Sequence, residues 1–207
     1  ATFTQWHYPC NVFIAAAAPM DENGNLQVGL CMMYEDAAYA CADKIILEVN
    51  PNLPRVRGGL EINISEVTRL VEVDYPVQLI PDIEPSPEEV LVAKNVRTLM
   101  RDGDCIQIGI GSLPNAIADE MFDLHDLGLH TEMATNTIGR LIEAGIINGE
   151  RKNFKHGQHL FIFAGGTPEL YESLGRNPGC RIVPAVYGAD PMIIMKNAHL
   201  IERVGLS

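Results

Sequence analysis

Gly109, Gly111 and Glu132 are the residues whose types and spacing could do chemistry. In Gly109-Ile110-Gly111 the missing side chains let a ligand come close to the backbone. Ser112 can cap a helix that follows, and Pro114 suits its first turn. N–H groups at such a turn, with the positive end of the helix, would favour an anion or a developing oxyanion. Glu132 follows as a carboxylate about twenty residues on, where a dinucleotide-binding fold would place it on a ribose hydroxyl. Pro114 damages that reading, because it stands where the fingerprint wants a third Gly or Ala. A structural reading also stands: Gly-x-Gly turns close many strands for steric reasons, and a strand-end Glu is commonly a solvated face.

The elements that must position these residues are legible as patterns. Residues 105–110 form a short β-branched run, long enough for a buried strand and too short for a helix. A helix from Ser112 to about Phe122 and a second strand over 127–130, delivering Thr131-Glu132-Met133, complete a βαβ unit. Upstream, strands are expected over 12–18, 26–30, 44–49 and 67–73, with an alanine-rich helix over 34–42. Asp21-Glu22-Asn23-Gly24 is a turn; the glycine is out of register for a calcium loop, and no Glu occupies the twelfth position. The proline-rich stretch 79–87 is the best domain boundary, dividing 1–84 from 85–207. Beyond it, Ser86 and Glu89 make a capping box, Pro87 takes the first helical position, and Gly103 stops the helix. A helix over 137–144 closes at Gly145. A strand over 160–164 then runs into Gly165-Gly166, and Thr167-Pro168 starts a helix ending at Gly175. Alternating β and α units predict an α/β fold with mainly parallel sheets and flanking helices.

Composition narrows the function classes. A net charge of −12, with no offsetting Lys/Arg cluster, argues against nucleic acid or an anionic membrane as partner. No stretch reaches the eighteen or so apolar residues of a membrane helix, and residues 12–19 lack the basic flank of a secretory signal. The cysteines (Cys10, Cys31, Cys41, Cys105 and Cys180) are odd in number, without a Cys-x-x-Cys pair, as expected of free thiols in a reducing compartment. Arg55 and Arg57 on a loop could hold a phosphate, but solvated charges are the better account. His156 and His159 have the wrong spacing to share a metal and read as a plain loop; His130 reads as a satisfied structural histidine. Both ends look abrupt, as expected of a fragment of a longer polypeptide.

One family resemblance brings these features together. Gly109-Ile110-Gly111-Ser112-Leu113-Pro114-Asn115-Ala116, with Leu129-His130-Thr131-Glu132-Met133 and Glu143-Ala144-Gly145, resembles the acetyl-CoA hydrolase/transferase family, within it the family I 4-hydroxybutyrate and butyrate:acetate CoA-transferases. Pro19-Met20-Asp21-Glu22-Asn23-Gly24, Val49-Asn50, Pro54-Arg55, Gly166-Thr167 and Leu170-Tyr171 support it. The resemblance implies a CoA-transferase-like two-domain architecture. Residues 1–84 would be the remainder of the N-terminal domain and 85–207 the start of the C-terminal one, with family members extending beyond both Ala1 and Ser207. It implies ping-pong transfer of CoA between short-chain acyl-CoA and a carboxylic acid. Glu132 would carry the acyl anhydride and then the CoA thioester, while Gly109, Ile110, Gly111, Ser112 and Leu113 hold coenzyme A, a substrate and not a permanent cofactor. It further implies no metal, a cytoplasmic setting and a homo-oligomer of dimer size or larger. An acyl-CoA hydrolase and a non-catalytic dinucleotide-binding module remain the alternatives.

Overall fold

A computed structural model of the chain describes residues 10–203. The abrupt ends noted above lie at 1–9 and 204–207, outside the described residues. β-Branched and aliphatic runs early in the chain form β1 (Val12–Ala17), β3 (Lys44–Val49) and β5 (Arg69–Glu72), which pair in parallel in the order β1-β3-β5. Beside them β2 (Asn25–Gln27) pairs antiparallel with β4 (Glu61–Asn63), and α1 (Glu35–Cys41) precedes β3. Phe13, Ala17, Leu26, Ile45, Leu47 and Ile62 fill the core between these elements. The strand expected over 26–30 stops at Gln27, because residues 30–32 leave to pair elsewhere.

The Asp21–Gly24 turn is built as its residues predict. Asp21 Oδ1 accepts from the N–H groups of Asn23 and Asn25, and Gly24 takes φ 81°. Arg55 does not wait for a phosphate. Its guanidinium is spent on Asp21, Glu61 and the carbonyls of Pro19 and Asn25, pinning the turn to the loop.

The second sheet is wholly parallel, ordered β10-β6-β7-β8-β9. Its strands are β6 (Cys105–Ile108), β7 (Gly128–Ala134), β8 (His159–Ala164), β9 (Cys180–Ile182) and β10 (Leu200–Arg203). Helices α2 (Pro87–Arg97), α3 (Ser112–Asp119), α4 (Asn136–Glu143) and α5 (Pro168–Arg176) flank it, and the short α6 (Ala185–Gly188) and α7 (Pro191–Ile194) precede β10. From β6 to β9 the chain steps one way, then returns to lay β10 on the other side of β6. In open parallel sheets the crevice at the strands' C-terminal ends, where the order reverses, is the usual place for a ligand.

The two sheets pack against each other, most directly through residues 30–32. Beyond the last β8–β9 pair, residues 30–32 take over the edge of β8: Met32 N donates to Ile162 O, and Ala164 N to Leu30 O. Leu30 and Met32 therefore join Ile106, Ile108, Leu129 and Phe161 in the larger core. Three local expectations need correction. Helix α3 ends at Asp119, short of Phe122. Helix α5 runs through Gly175 to Arg176. His159 is the first residue of β8, not a loop residue.

Candidate active site at the C-terminal ends of β6 and β7

Gly111 adopts φ 127°, ψ −179°, a backbone state that side chains disfavour, and from it the chain turns into α3. The N–H groups of Ser112 and Leu113 stand in the first helical turn, without a carbonyl partner inside the helix. Ser112 does not cap, contrary to the sequence expectation. It is the first helical residue, Gly111 taking the cap position, and its hydroxyl donates to Glu89 Oε1 at 2.6 Å. Glu89 thereby ties α2 to the turn, since its other oxygen accepts from Ser86 N in the capping box. The Ser112 hydrogen bond is the main reason why the Glu89 carboxyl lies below its ordinary pKa. Leu113 is half-buried against the core, and Ile110 is exposed at the tip.

Backbone pairing between β6 and β7 joins Cys105 to Gly128 and Ile106 to Leu129, then stops. Two residues further, the Thr131 side chain replaces the ladder. Its Oγ1 donates to Ile108 O at 3.0 Å and accepts from Ile108 N at 3.3 Å. The strands part at their C-terminal ends while their register is held. Glu132 is the next residue beyond that staple, as Gly109 is beyond Ile108. The structure thus brings Gly109 and Glu132 to the same end of neighbouring strands. Glu132 is exposed, whereas Thr131 and Met133 on either side of it are buried. Side chains alternate along a strand, so Glu132 shares its face with His130 and not with Met133.

His130 is the structural histidine expected of it. Its Nε2–H donates to Gly188 O at 2.7 Å, and its Nδ1 accepts from Asn197 Nδ2 at 3.1 Å, a neutral ring fixed in one tautomer. Burial, the largest influence, lowers its pKa. Asn197 in turn accepts from the Cys105 thiol, so one chain of bonds joins β6, β7 and the α6–α7 region on the Glu132 face.

Met133 belongs to the other face. There a cavity of about 60 Å³ lies among Ile80, Ile110, Gly111, Asn115, Met133 and Thr135. The loop leaving β8 is fastened beside it. Asn136 Oδ1 accepts from Thr167 N, and its Nδ2 donates to Ile80 O and Asp82, strapping the proline-rich stretch over the sheet end. A Cβ on Gly166 would collide with Asn136 Oδ1, which is why that second glycine turn needs its glycine.

Comparison with known proteins bears on the fold. Residues 2–84 match the model of the acetyl-CoA hydrolase/transferase N-terminal domain. The succinyl-CoA:cyclohexane-1-carboxylate CoA transferase of Geobacter metallireducens is 33% identical over 95% of this chain and 45% of its own length. Over residues 2–84 the chain matches the acetyl-CoA hydrolase/transferase family, and its curated relatives are CoA-transferases. The butyryl-CoA:acetate CoA-transferase of Anaerostipes caccae, another curated relative, is 37% identical over 87% of this chain and 42% of its own length. A solved 4-hydroxybutyrate CoA-transferase from Porphyromonas gingivalis superposes with TM-score 0.89, at 33% identity, over 97% of this chain and 51% of that one. The chain spans less than half the length of these two curated relatives.

Thr131 and Asn136 are the site residues that sequence reasoning missed. Asn136 carries no pattern of its own, because its partners Ile80 and Asp82 lie more than fifty residues away. Thr131 stood inside the quoted motif, and a hydroxyl between two apolar strand positions was the available signal. Among the described residues no group of three or more His, Cys, Asp or Glu is placed to hold a metal ion, and no helix is long and apolar enough to cross a membrane.

Proposed function

We propose that this chain contributes the nucleophile and the glycine turn of a CoA-transferase that moves CoA between a short-chain acyl-CoA and a carboxylic acid. Glu132 attacks the thioester carbonyl and expels the CoA thiolate, forming an acyl–glutamyl anhydride. The thiolate then attacks the glutamyl carbonyl, the carboxylic acid leaves as its carboxylate, and a glutamyl-CoA thioester remains. An acceptor carboxylate reverses the two steps. The observation that carries this reading is the parting of β6 and β7 where Gly109 and Glu132 lie at neighbouring strand ends.

A carboxylate is a weak nucleophile toward a thioester, so it must be held against the carbonyl; orientation of this kind can contribute about 7–11 kcal/mol. In this proposal the residues Gly109, Ile110, Gly111, Ser112 and Leu113 hold CoA, and their N–H groups meet the oxyanion, each such donor worth about 3–4 kcal/mol. The same reading divides the chain into 1–84 and 85–207, the ends of one domain and the start of the next. It sets a homo-oligomer at work in the cytoplasm. Hydrolysis is the second reading, favoured by the matching family model, whose description covers hydrolases as well as transferases.

Intact-mass measurement of the full-length protein after exposure to butyryl-CoA tests the mechanism. The expected result is a CoA-sized mass increase on the peptide bearing Glu132, absent in Glu132→Gln. Unchanged transfer by Glu132→Ala would refute it. Adding acetate separates the two readings: acetyl-CoA forms if the enzyme transfers, and free CoA accumulates if it hydrolyses.

A further inference from the structure

The chain carries 27 acidic and 15 basic side chains, and the ion pairs of Arg55, Arg97, Arg140, Arg151 and Arg176 occupy a third of the basic ones. Lys155 and Arg181 have no carboxylate partner among the described residues. Both line a cavity of about 490 Å³, together with Leu160, Val183, Pro184 and Tyr187, and no acidic side chain lines it. In so acidic a molecule, a concave surface with cations alone is an attractor for anions.

Three details show that the cavity is held open. A Cβ on Gly58, which has φ 86°, would strike the Ile182 carbonyl, and Arg57 O accepts from Ile182 N at 2.9 Å, so the loop closes one wall against β9. Arg181 donates through Nη1 to the carbonyls of Pro178 and Cys180, which fixes the guanidinium and leaves Nε and Nη2 uncommitted. Lys155 sits at φ 54°, the left-handed region a non-glycine residue rarely takes, with Nζ 6.0 Å over the ring of Tyr187. A turn alone would be better served by glycine.

We propose that this cavity binds an organic anion, its apolar or aromatic body on Leu160, Val183 and Tyr187 and its carboxylate or phosphate between Lys155 and Arg181. The site lies beside β8 and β9, lined by Leu160, the second residue of β8, and by Val183 just beyond the end of β9, and none of the residues placed in the transfer chemistry lines it.

Calorimetric titration of the full-length protein with benzoate and with AMP tests it, using wild type, Lys155→Gly and Arg181→Gln. At least one probe is expected to bind saturably, more weakly at higher salt, and about tenfold or more weaker in each variant. Binding of benzoate alone identifies a carboxylate ligand, and of AMP alone a phosphate. Lys155→Gly suits the backbone at that position, so its thermal midpoint should not fall, which separates loss of binding from loss of fold. If neither probe binds saturably, or either variant binds as wild type does, the proposal is overturned.

Discussion

Glu132 and Met133 leave β7 on opposite sides, and everything about the site at residue scale follows from that alternation. The carboxylate is exposed beside the His130 face, while Met133 closes the small cavity under Gly111. The residue keeping the strand ends in step is Thr131. Replacing it with Val keeps the shape but removes both bonds to Ile108, leaving a buried N–H and a buried carbonyl without that partner. A stability loss of about 1–3 kcal/mol is expected, read as a lower urea midpoint. If the hydroxyl also sets the register between turn and carboxylate, formation of the CoA adduct should slow in Thr131→Val and recover in Thr131→Ser. The residues likeliest to do chemistry were legible because glycine pairs and a strand-end acid are visible one at a time. Their relative facing was not, since the parting of two strands depends on a side-chain bond across 23 residues.

Elements were legible where the signals are local. The capping box of Ser86 and Glu89 formed as its spacing requires, because both partners lie within one helical turn. Ser112 was misread for the complementary reason: its hydroxyl prefers a carboxylate on another helix, and no local pattern announces Glu89 Oε1. Glu89 therefore serves two elements. Ser86→Ala should cost about 1 kcal/mol, the usual worth of an N-cap. Glu89→Ala should cost more, because it also releases Ser112 and with it the link from α2 to the glycine turn. Chemical denaturation of both variants checks the order; equal losses would mean that the Ser112 bond contributes nothing. By contrast, the half-exposed ion pairs of Arg140 with Asp82 and Asp119 should matter little, at about 0–1 kcal/mol.

For the whole molecule, the response to pH is set beneath the sheet, at the end away from Glu132. His159 is buried with Nδ1 unpartnered, and burial, reinforced by Lys152 and Arg181, lowers its pKa from 6.5 to about 4. Lys152 is buried too. Its Nζ donates to the carbonyls of Leu129 and Gln158, its stem covers Gly128, and burial lowers its pKa from 10.5 to about 8. Both groups hold fewer protons folded than unfolded, the histidine between about pH 4 and 6.5 and the lysine between about pH 8 and 10.5. In each window the unfolded chain binds the extra proton, so each group's contribution to stability rises with pH, by at most roughly 1.4 kcal/mol per unit. Acidification from pH 6.5 should thus weaken the fold before the carboxylates titrate. Those of Asp21, Asp123, Asp126 and Glu169, already held below their ordinary values by hydrogen bonds, add their loss at lower pH. Urea midpoints should rise through the acid window and again from about pH 8 to 9. Above that the thiols of Cys31, Cys105 and Cys180, pushed up by burial from 9.0 to about 11, about 11 and about 12, keep protons that the unfolded chain has lost, and stability falls with pH. His159→Leu should flatten the acid limb and leave the alkaline one, and Lys152→Met should do the reverse. A His159→Leu protein with an unchanged acid limb would place the acid sensitivity elsewhere, with His130 the next buried histidine to test.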